Sequence, residues 1–163
     1  MFEAARWAAS CFNEQPWSYL VASIDDAEEH EKLVSCLVPS NAWAAKAPVL
    51  ALSVANLSFA KSGKPNRFGF HDVGQASASL ALQAISMGIF IHQMGGYEVE
   101  KARSLFEIPE GCDPVAMIAM GYPGDPAVLT EDQQQRELGP RNRKPIDQFV
   151  FQGRWGQVAP VVR

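Results

Sequence analysis

Cysteine is scarce in this chain and badly spaced for covalent or metal chemistry. Cys11, Cys36 and Cys112 are the three among 163 residues. An odd number with no CxxC or Cys/His spacing favours neither a disulfide framework nor a zinc site, and a reducing cytoplasm is the expected home. Long apolar runs are missing too. No stretch approaches the about 18 residues that a spanning helix needs, and "MFEAARWAAS" is too short and too charged for a signal-peptide core, so no membrane partner is expected. Basic residues are outnumbered: 14 Lys and Arg against 18 Asp and Glu give a net charge of -4. Nucleic acid as a main partner would call for a concentrated basic face, and none is expected. The phosphate, nucleophile and zinc signatures (GxGxxG behind a strand, GxxxxGKS/T, GxSxG, HExxH) are absent as well.

What is present suits one globular domain over residues 1–163: hydrophobic residues make up 47% and charged residues 20%, enough to bury a substantial core. Residues 2–9 are strong helix formers with no N-cap ahead of them, which predicts the tail of a helix. "WSYLVASI" (17–24) predicts a strand, and "DDAEEHEKLVSCL" (25–37) a helix with acids in its first turn. "NAWAAK" (41–46) is a short helix before "PVLALSVANLSF" (48–59), a buried strand by its β-branched and leucine content. A loop at 60–69 precedes a long helix over 70–87. That helix is rich in small residues (Gly74, Ala76, Ser77, Ala78, Ser79, Ala81, Ala84), which lets another helix approach closely. "IFIHQM" (89–94) predicts a strand ending at Gly95 and Gly96, "EVEKARSLF" (98–106) a helix, and "VAMIAMGYP" (115–123) a further strand. A polar segment (130–138), a basic cluster "RNRK" (141–144) and an apolar "FVF" (149–151) follow. Helices and strands mix without a repeating order, so the fold class is α+β.

The three histidines offer little acid-base machinery. His30 lies among Glu28, Glu29 and Glu31 and reads as solvated surface. His71 stands beside Asp72, but adjacent helix positions do not face one another. His92 alternates on a strand and reads as a packed histidine. Weight therefore shifts to chemistry carried by a bound cofactor, and three segments suit that role. In "CFNEQPW", Asn13 and Gln15, with Ser10 just before, can hydrogen-bond a flat polar ligand, while Pro16 and Trp17 stiffen the corner; an Asn13-capped helix end is the plainer alternative. In "QMGGY", two glycines closing a strand let backbone N–H groups approach a ligand, as they also would in an ordinary turn. In "RNRK", Arg141 and Arg143 project to one side of an extended segment and can grip a phosphate, unless the run is simply a solvated loop.

Taken together, these segments carry a resemblance. The chain resembles the FMN-dependent nitroreductase family along nearly its whole length. "ARWAASCFNEQPW" is similar to that family's A-R-x-A-P-S-S-x-N-x-Q-P-W element, "HQMGGY" to its glycine segment beside the flavin, and "RNRKPIDQFV" to its C-terminal phosphate-binding arginine segment. The resemblance implies a mixed, mainly antiparallel sheet flanked by helices, in a homodimer with FMN at the subunit interface. It places Ser10, Cys11, Asn13 and Gln15 on the flavin and its ribityl chain, with Asn41 as a further polar contact. Gly95 would direct its backbone N–H at flavin N5, with Gln93, Met94 and Gly96 shaping the adjoining wall, and Arg141 and Arg143 would bind the FMN phosphate. No metal is implied. The small-residue helix would join the dimer core, and "FVFQGRWG" would lie across the partner. The implied activity is NAD(P)H oxidation, from NADH or NADPH, coupled to reduction of a small-molecule oxidant such as a nitroaromatic or quinone. Dehalogenation or flavin fragmentation are further reactions the family admits.

Departures from the family pattern qualify this expectation. Ala9 stands where Pro is common, and Cys11 where Ser is common; Cys11 gives up a hydroxyl but keeps its backbone N–H. The family's basic N-terminal arm and most of its first helix have no counterpart ahead of Met1. Two outcomes are compatible with that: Arg141 and Arg143 suffice for the phosphate, or the chain is a shortened member with weak or no flavin binding and little turnover.

Overall fold

Residues 1–162 are described by the computed structural model. Four strands, β1 (Trp17–Ser23), β2 (Val49–Asn56), β3 (Phe90–Met94) and β4 (Cys112–Gly121), form one sheet in the order β1-β2-β4-β3. Every neighbouring pair is antiparallel, so the parallel component of the expected mixed sheet does not occur among these strands. The helices are α1 (Phe2–Arg6), α2 (Ala27–Ser35), α3 (Gly69–Ser86), α4 (Val99–Leu105) and α5 (Glu131–Leu138). The chain divides into two compact units, Met1–Pro123, which holds the sheet, and a second from Gly124 onward.

Strand alternation builds two cores, one on each face of the sheet. Leu50, Leu52, Val54, Met94, Met117 and Ala119 face a layer that includes Leu33 of α2, Ala44 and Ala102 of α4. Ala51, Ile118 and Met120 face the other way, against Ala5 of α1 and Ala76 and Leu80 of α3. The central strands β2 and β4 are thus covered on both faces, which explains the near-continuous apolar run of β2. Its one buried hydroxyl is satisfied. Ser53 Oγ donates to the Ala116 carbonyl at 3.1 Å and accepts from the Ala116 N–H at 3.2 Å, beside the register shift between Ser53 and Val54. Pro114 stands at that shift, where a residue without an N–H is tolerated. The bulge lets β4 begin at Cys112, three residues ahead of the sequence expectation.

α2 corrects the reading of His30. Asp26 caps the helix by accepting the Glu29 N–H, and Glu28 and Glu29 occupy the first turn, as expected. His30, however, is buried together with Leu33, three positions on, and its Nε2–H donates to the Ala47 carbonyl at 2.9 Å. The acidic neighbours point outward while helical periodicity turns the imidazole in. In α3 the small residues divide between two faces. Val73, Ala76, Ser77, Leu80 and Ala84 are buried, with Ser77 Oγ hydrogen-bonded to the Tyr19 hydroxyl at 3.0 Å. Gly74 and Ala78 face outward with Phe70, Leu82 and Ile85, and these three apolar residues are exposed.

In the second unit, residues 130–138, read only as polar, form a capped helix. Thr130 Oγ1 accepts the Gln133 N–H and Gln133 Oε1 accepts the Thr130 N–H. The "FVF" segment contributes a bridge, Phe151 to Val158. Among the described residues no helix is long and apolar enough to cross a membrane, and no His, Cys, Asp and Glu cluster is arranged to hold a metal.

Candidate functional site

The "CFNEQPW" stretch leaves α1 through an extended Ser10 and enters a 3-10 turn, Cys11–Asn13. Its backbone is unusual. Phe12 (φ 52°), Asn13 (φ 58°) and Gln15 (φ 49°) all sit in the left-handed region. Asn tolerates that region; for Phe and Gln it costs about 1–2 kcal/mol each, so the surroundings must impose it. They do so through several contacts. The Cys11 N–H donates to Asp72 Oδ2 at 2.9 Å, and the Gln15 N–H donates to Ser10 Oγ at 3.0 Å. Gln15 Nε2 donates to the Asn13 carbonyl at 3.1 Å, and Glu14 Oε2 accepts the Ala60 N–H at 2.8 Å. Phe12 meets Phe59 edge-on, with ring centroids 6.0 Å apart. The Ser10 hydroxyl proton and the Asn13 side-chain amide remain uncommitted among the described residues.

Two sequence expectations change at this loop. The Cys11 N–H is spent on Asp72, so Cys11 can offer a ligand its thiol but not that donor. His71 and Asp72, expected to diverge, are in contact: His71 Nδ1 lies 3.1 Å from Asp72 Oδ1, the exposed ring swinging back over the buried carboxylate. One turn on, Gln75 Nε2 lies 3.2 Å from His71 Nδ1 and donates to the Ala9 carbonyl at 3.5 Å. No local signal in the sequence links Asp72 to a residue 61 positions away.

The glycine turn follows β3. Gly96 is pinned: its carbonyl accepts Asn41 Nδ2 at 2.9 Å and the Val38 N–H at 3.5 Å. A Cβ there would meet Asn41 Nδ2 at 2.6 Å and Val38 Cγ2 at 3.0 Å, so glycine is required for the close approach. Asn41 lies within the 3-10 stretch Pro39–Lys46, which takes in the short helix expected at 41–46. Gly95 is the opposite case. Nothing lies within 4 Å of the place a Cβ would occupy, and its N–H has no acceptor among the described residues. Gln93 is exposed on the edge strand. Met94 is buried against Met117, so its side chain belongs to the core and not to a ligand-facing wall. His92, expected to be packed, is instead exposed on the edge strand, its ring edge-on to Trp43 with centroids 5.0 Å apart. Next along the turn, burial pushes the Tyr97 phenol up to about 12, with Asp113 adding and Arg103 opposing.

The geometry joins some predicted residues and separates others. Asn41 and Gly96 touch. The Ser10–Gln15 loop and the Gly95–Gly96 turn open at the same end of the sheet but flank opposite edge strands, β1 and β3. Three strand spacings separate them by roughly 14 Å across the sheet, and the register offsets them along the strands as well, since Trp17 lies level with Asp113 but Met94 with Met117. The cleft beside the loop, lined by Gln15, Pro16, Trp17 and Asn56 among others, holds about 120 Å³, below the roughly 300 Å³ where small-molecule pockets begin. Arg141 and Arg143 are exposed in the second unit, and Arg143 Nη1 donates to the Asn142 carbonyl at 2.8 Å.

Comparison with known proteins follows the same outline. Residues 26–122 match the family model for the Nitroreductase family. A crystal structure of an oxidoreductase containing FMN superposes with a TM-score of 0.88 at 33% identity, over 94% of this chain and 79% of that one. A nitroreductase family protein from Streptococcus pneumoniae TIGR4 shares the fold, with a TM-score of 0.69 at 21% identity, over 93% of this chain and 86% of that one. An uncharacterized 15.4 kDa protein of Mycolicibacterium smegmatis is 34% identical over 79% of this chain and 86% of its own length. A Methanothermobacter thermautotrophicus protein described as a "Putative NADH dehydrogenase/NAD(P)H nitroreductase" is 32% identical over 77% of this chain and 64% of its own length. With the family model covering more than half of its residues, this chain belongs to the Nitroreductase family.

Proposed function

We propose that the chain is an FMN-dependent NAD(P)H oxidoreductase of the cytoplasm, working as a homodimer on electron-poor small molecules such as nitroaromatics or quinones. The observation that carries the reading is Gly95: an N–H without an acceptor among the described residues, on a residue with open space above it, anchored from behind by the Gly96–Asn41 contact. The Ser10 hydroxyl and the Asn13 amide supply further uncommitted donors and acceptors on a loop held in one conformation. That set fits a flat, polar, ring-shaped cofactor. FMN, when bound, supplies the two-electron chemistry, taking hydride from NAD(P)H and passing it to the acceptor. The chain's own part is to present the Gly95 N–H to ring nitrogen N5, to hold the polar edge with Ser10, Asn13 and Gln15, and to neutralise the phosphate with Arg141 and Arg143. No side-chain acid or base is required, in keeping with the packed or surface positions of the histidines.

The homodimer is supported by two features of the first unit. Phe70, Leu82 and Ile85 leave an apolar stripe of α3 exposed, the kind of surface a symmetric partner covers. The loop and the glycine turn also lie too far apart to wall in one ligand unaided, so a second copy would complete the site. The test is titration of the purified protein with FMN, followed by NADH oxidation with a nitroaromatic acceptor. Binding near one FMN per chain, with turnover that depends on it, is the expected result; a protein that binds no FMN overturns the proposal. Riboflavin isolates the phosphate term. Charge-assisted contacts of about 1.5–3 kcal/mol predict that Arg141→Ala and Arg143→Ala each weaken FMN binding roughly ten-fold or more while leaving riboflavin affinity unchanged.

A further inference from the structure

We infer that Asp72 is the positioning residue of the Ser10–Gln15 loop: its carboxylate, held in the first turns of α3, fixes the left-handed corner by accepting the Cys11 N–H. Asp72 is 2% exposed, and both its oxygens are engaged, Oδ2 by Cys11 at 2.9 Å and Oδ1 by His71 at 3.1 Å. The buried Oδ2 supplies an acceptor for a backbone N–H that would otherwise be left unpaired at the corner, and the first turns of an 18-residue helix tolerate the side chain's negative charge. Asp72 contacts the loop just where it needs holding. Cys11 opens the 3-10 turn, and the next two residues both take positive φ. The other ties act further along: Ser10 Oγ on Gln15 and Glu14 on Ala60. Gln75, one turn along α3, reaches the Ala9 carbonyl, so a single helix face grips the chain on both sides of Ser10. Because α3 also packs on the sheet through Val73, Ala76 and Leu80, the loop's position is referred to the core and not to solvent.

The tether itself does not depend on any ligand. Its consequence for FMN rests on the oxidoreductase reading above, in which the uncommitted groups of Ser10 and Asn13 bind usefully only if the corner is already set. Two variants separate the roles. Asp72→Ala removes the acceptor. Asp72→Asn keeps an oxygen for the Cys11 N–H and offers its Nδ2 to His71 Nδ1, at the same volume. Amide hydrogen exchange of residues 9–15, measured without flavin, reads the tether; the dissociation constant for added FMN reads the consequence. For Asp72→Ala we expect Cys11 amide exchange and the FMN dissociation constant each to rise about ten-fold or more, and for Asp72→Asn both to stay within roughly three-fold of the parent. Unchanged Cys11 exchange in Asp72→Ala overturns the tether. Equal loss in the two variants also overturns it, since charge rather than acceptance would then be what matters. If Asp72→Ala does not fold, Asp72→Asn decides: retained protection and affinity uphold the assignment, and their loss ends it. A parent protein that binds no FMN defeats the oxidoreductase reading, while the exchange measurement still decides the tether.

Discussion

His30 donates to the Ala47 carbonyl from inside the layer that covers one face of the sheet, so its removal leaves a half-buried acceptor without its partner and a void beside Leu33. His30→Ala is expected to cost about 2–3 kcal/mol, read as a lower urea midpoint at unchanged slope. The signal for its burial was present in the sequence, as the three-residue spacing to Leu33; three neighbouring glutamates masked it. Tyr97 gives a pH prediction. It is buried, and its pKa rises from the usual 10.0 to about 12, so the fold favours the neutral phenol. That contribution is fully present below pH 10 and lost as the pH climbs through about 12. Tyr97→Phe should therefore move the alkaline unfolding midpoint upward, and near-ultraviolet tyrosinate absorbance of the parent should show a late-titrating class. Gly96 yields a third expectation. A Cβ there would come within 2.6 Å of Asn41 Nδ2 and push it from its 2.9 Å bond to the Gly96 carbonyl, so Gly96→Ala should destabilise the protein by about 1–3 kcal/mol. Asn41→Ala, by emptying the space, should make the pair of substitutions cost less than their sum, a non-additivity that denaturation of the four proteins measures.

Elements with strong periodicity were legible: β1, α2, β2, α3, β3 and α4 lie within a few residues of their predicted spans. The exceptions have physical causes. β4 starts early because a bulge bridged by Ser53 accommodates Pro114 inside a strand. α5 went unread because its apolar content is low, although the Thr130 and Gln133 capping pair marks its start. The loop at 10–15 was legible as a motif but not as a shape, since nothing local forces Phe12 or Gln15 to positive φ. The two faces of α3 lead to a prediction at this scale. The inner face, Val73, Ala76, Leu80 and Ala84, is already buried, whereas Leu82 is 72% and Ile85 63% exposed. Replacing both by Glu leaves the inner packing untouched and places two like charges on the proposed symmetric contact. The mass in solution should fall from dimer to monomer, with the unfolding midpoint at low protein concentration little changed.

At the scale of the whole molecule, a four-stranded antiparallel sheet with helices on both faces carries a polar loop and a glycine turn at one end, flanking opposite edges. The family could be read from motif order. The spatial separation of the motifs could not, because strand order is a tertiary property: β4, last in sequence among the strands, is inserted between β2 and β3. That insertion also governs how the molecule comes into being. β2 must wait for β4 to close a register that joins Val49 to Met120, and among the described residues β3 pairs in the sheet with β4 alone. Contacts so distant along the chain are costly to close and fold slowly. During synthesis, then, the apolar stretch Val49–Ala55 leaves the ribosome long before its second partner does, and lingers with one edge bare. Newly made copies are at their most aggregation-prone in that interval, and chaperone demand should end abruptly once Gly121 has emerged.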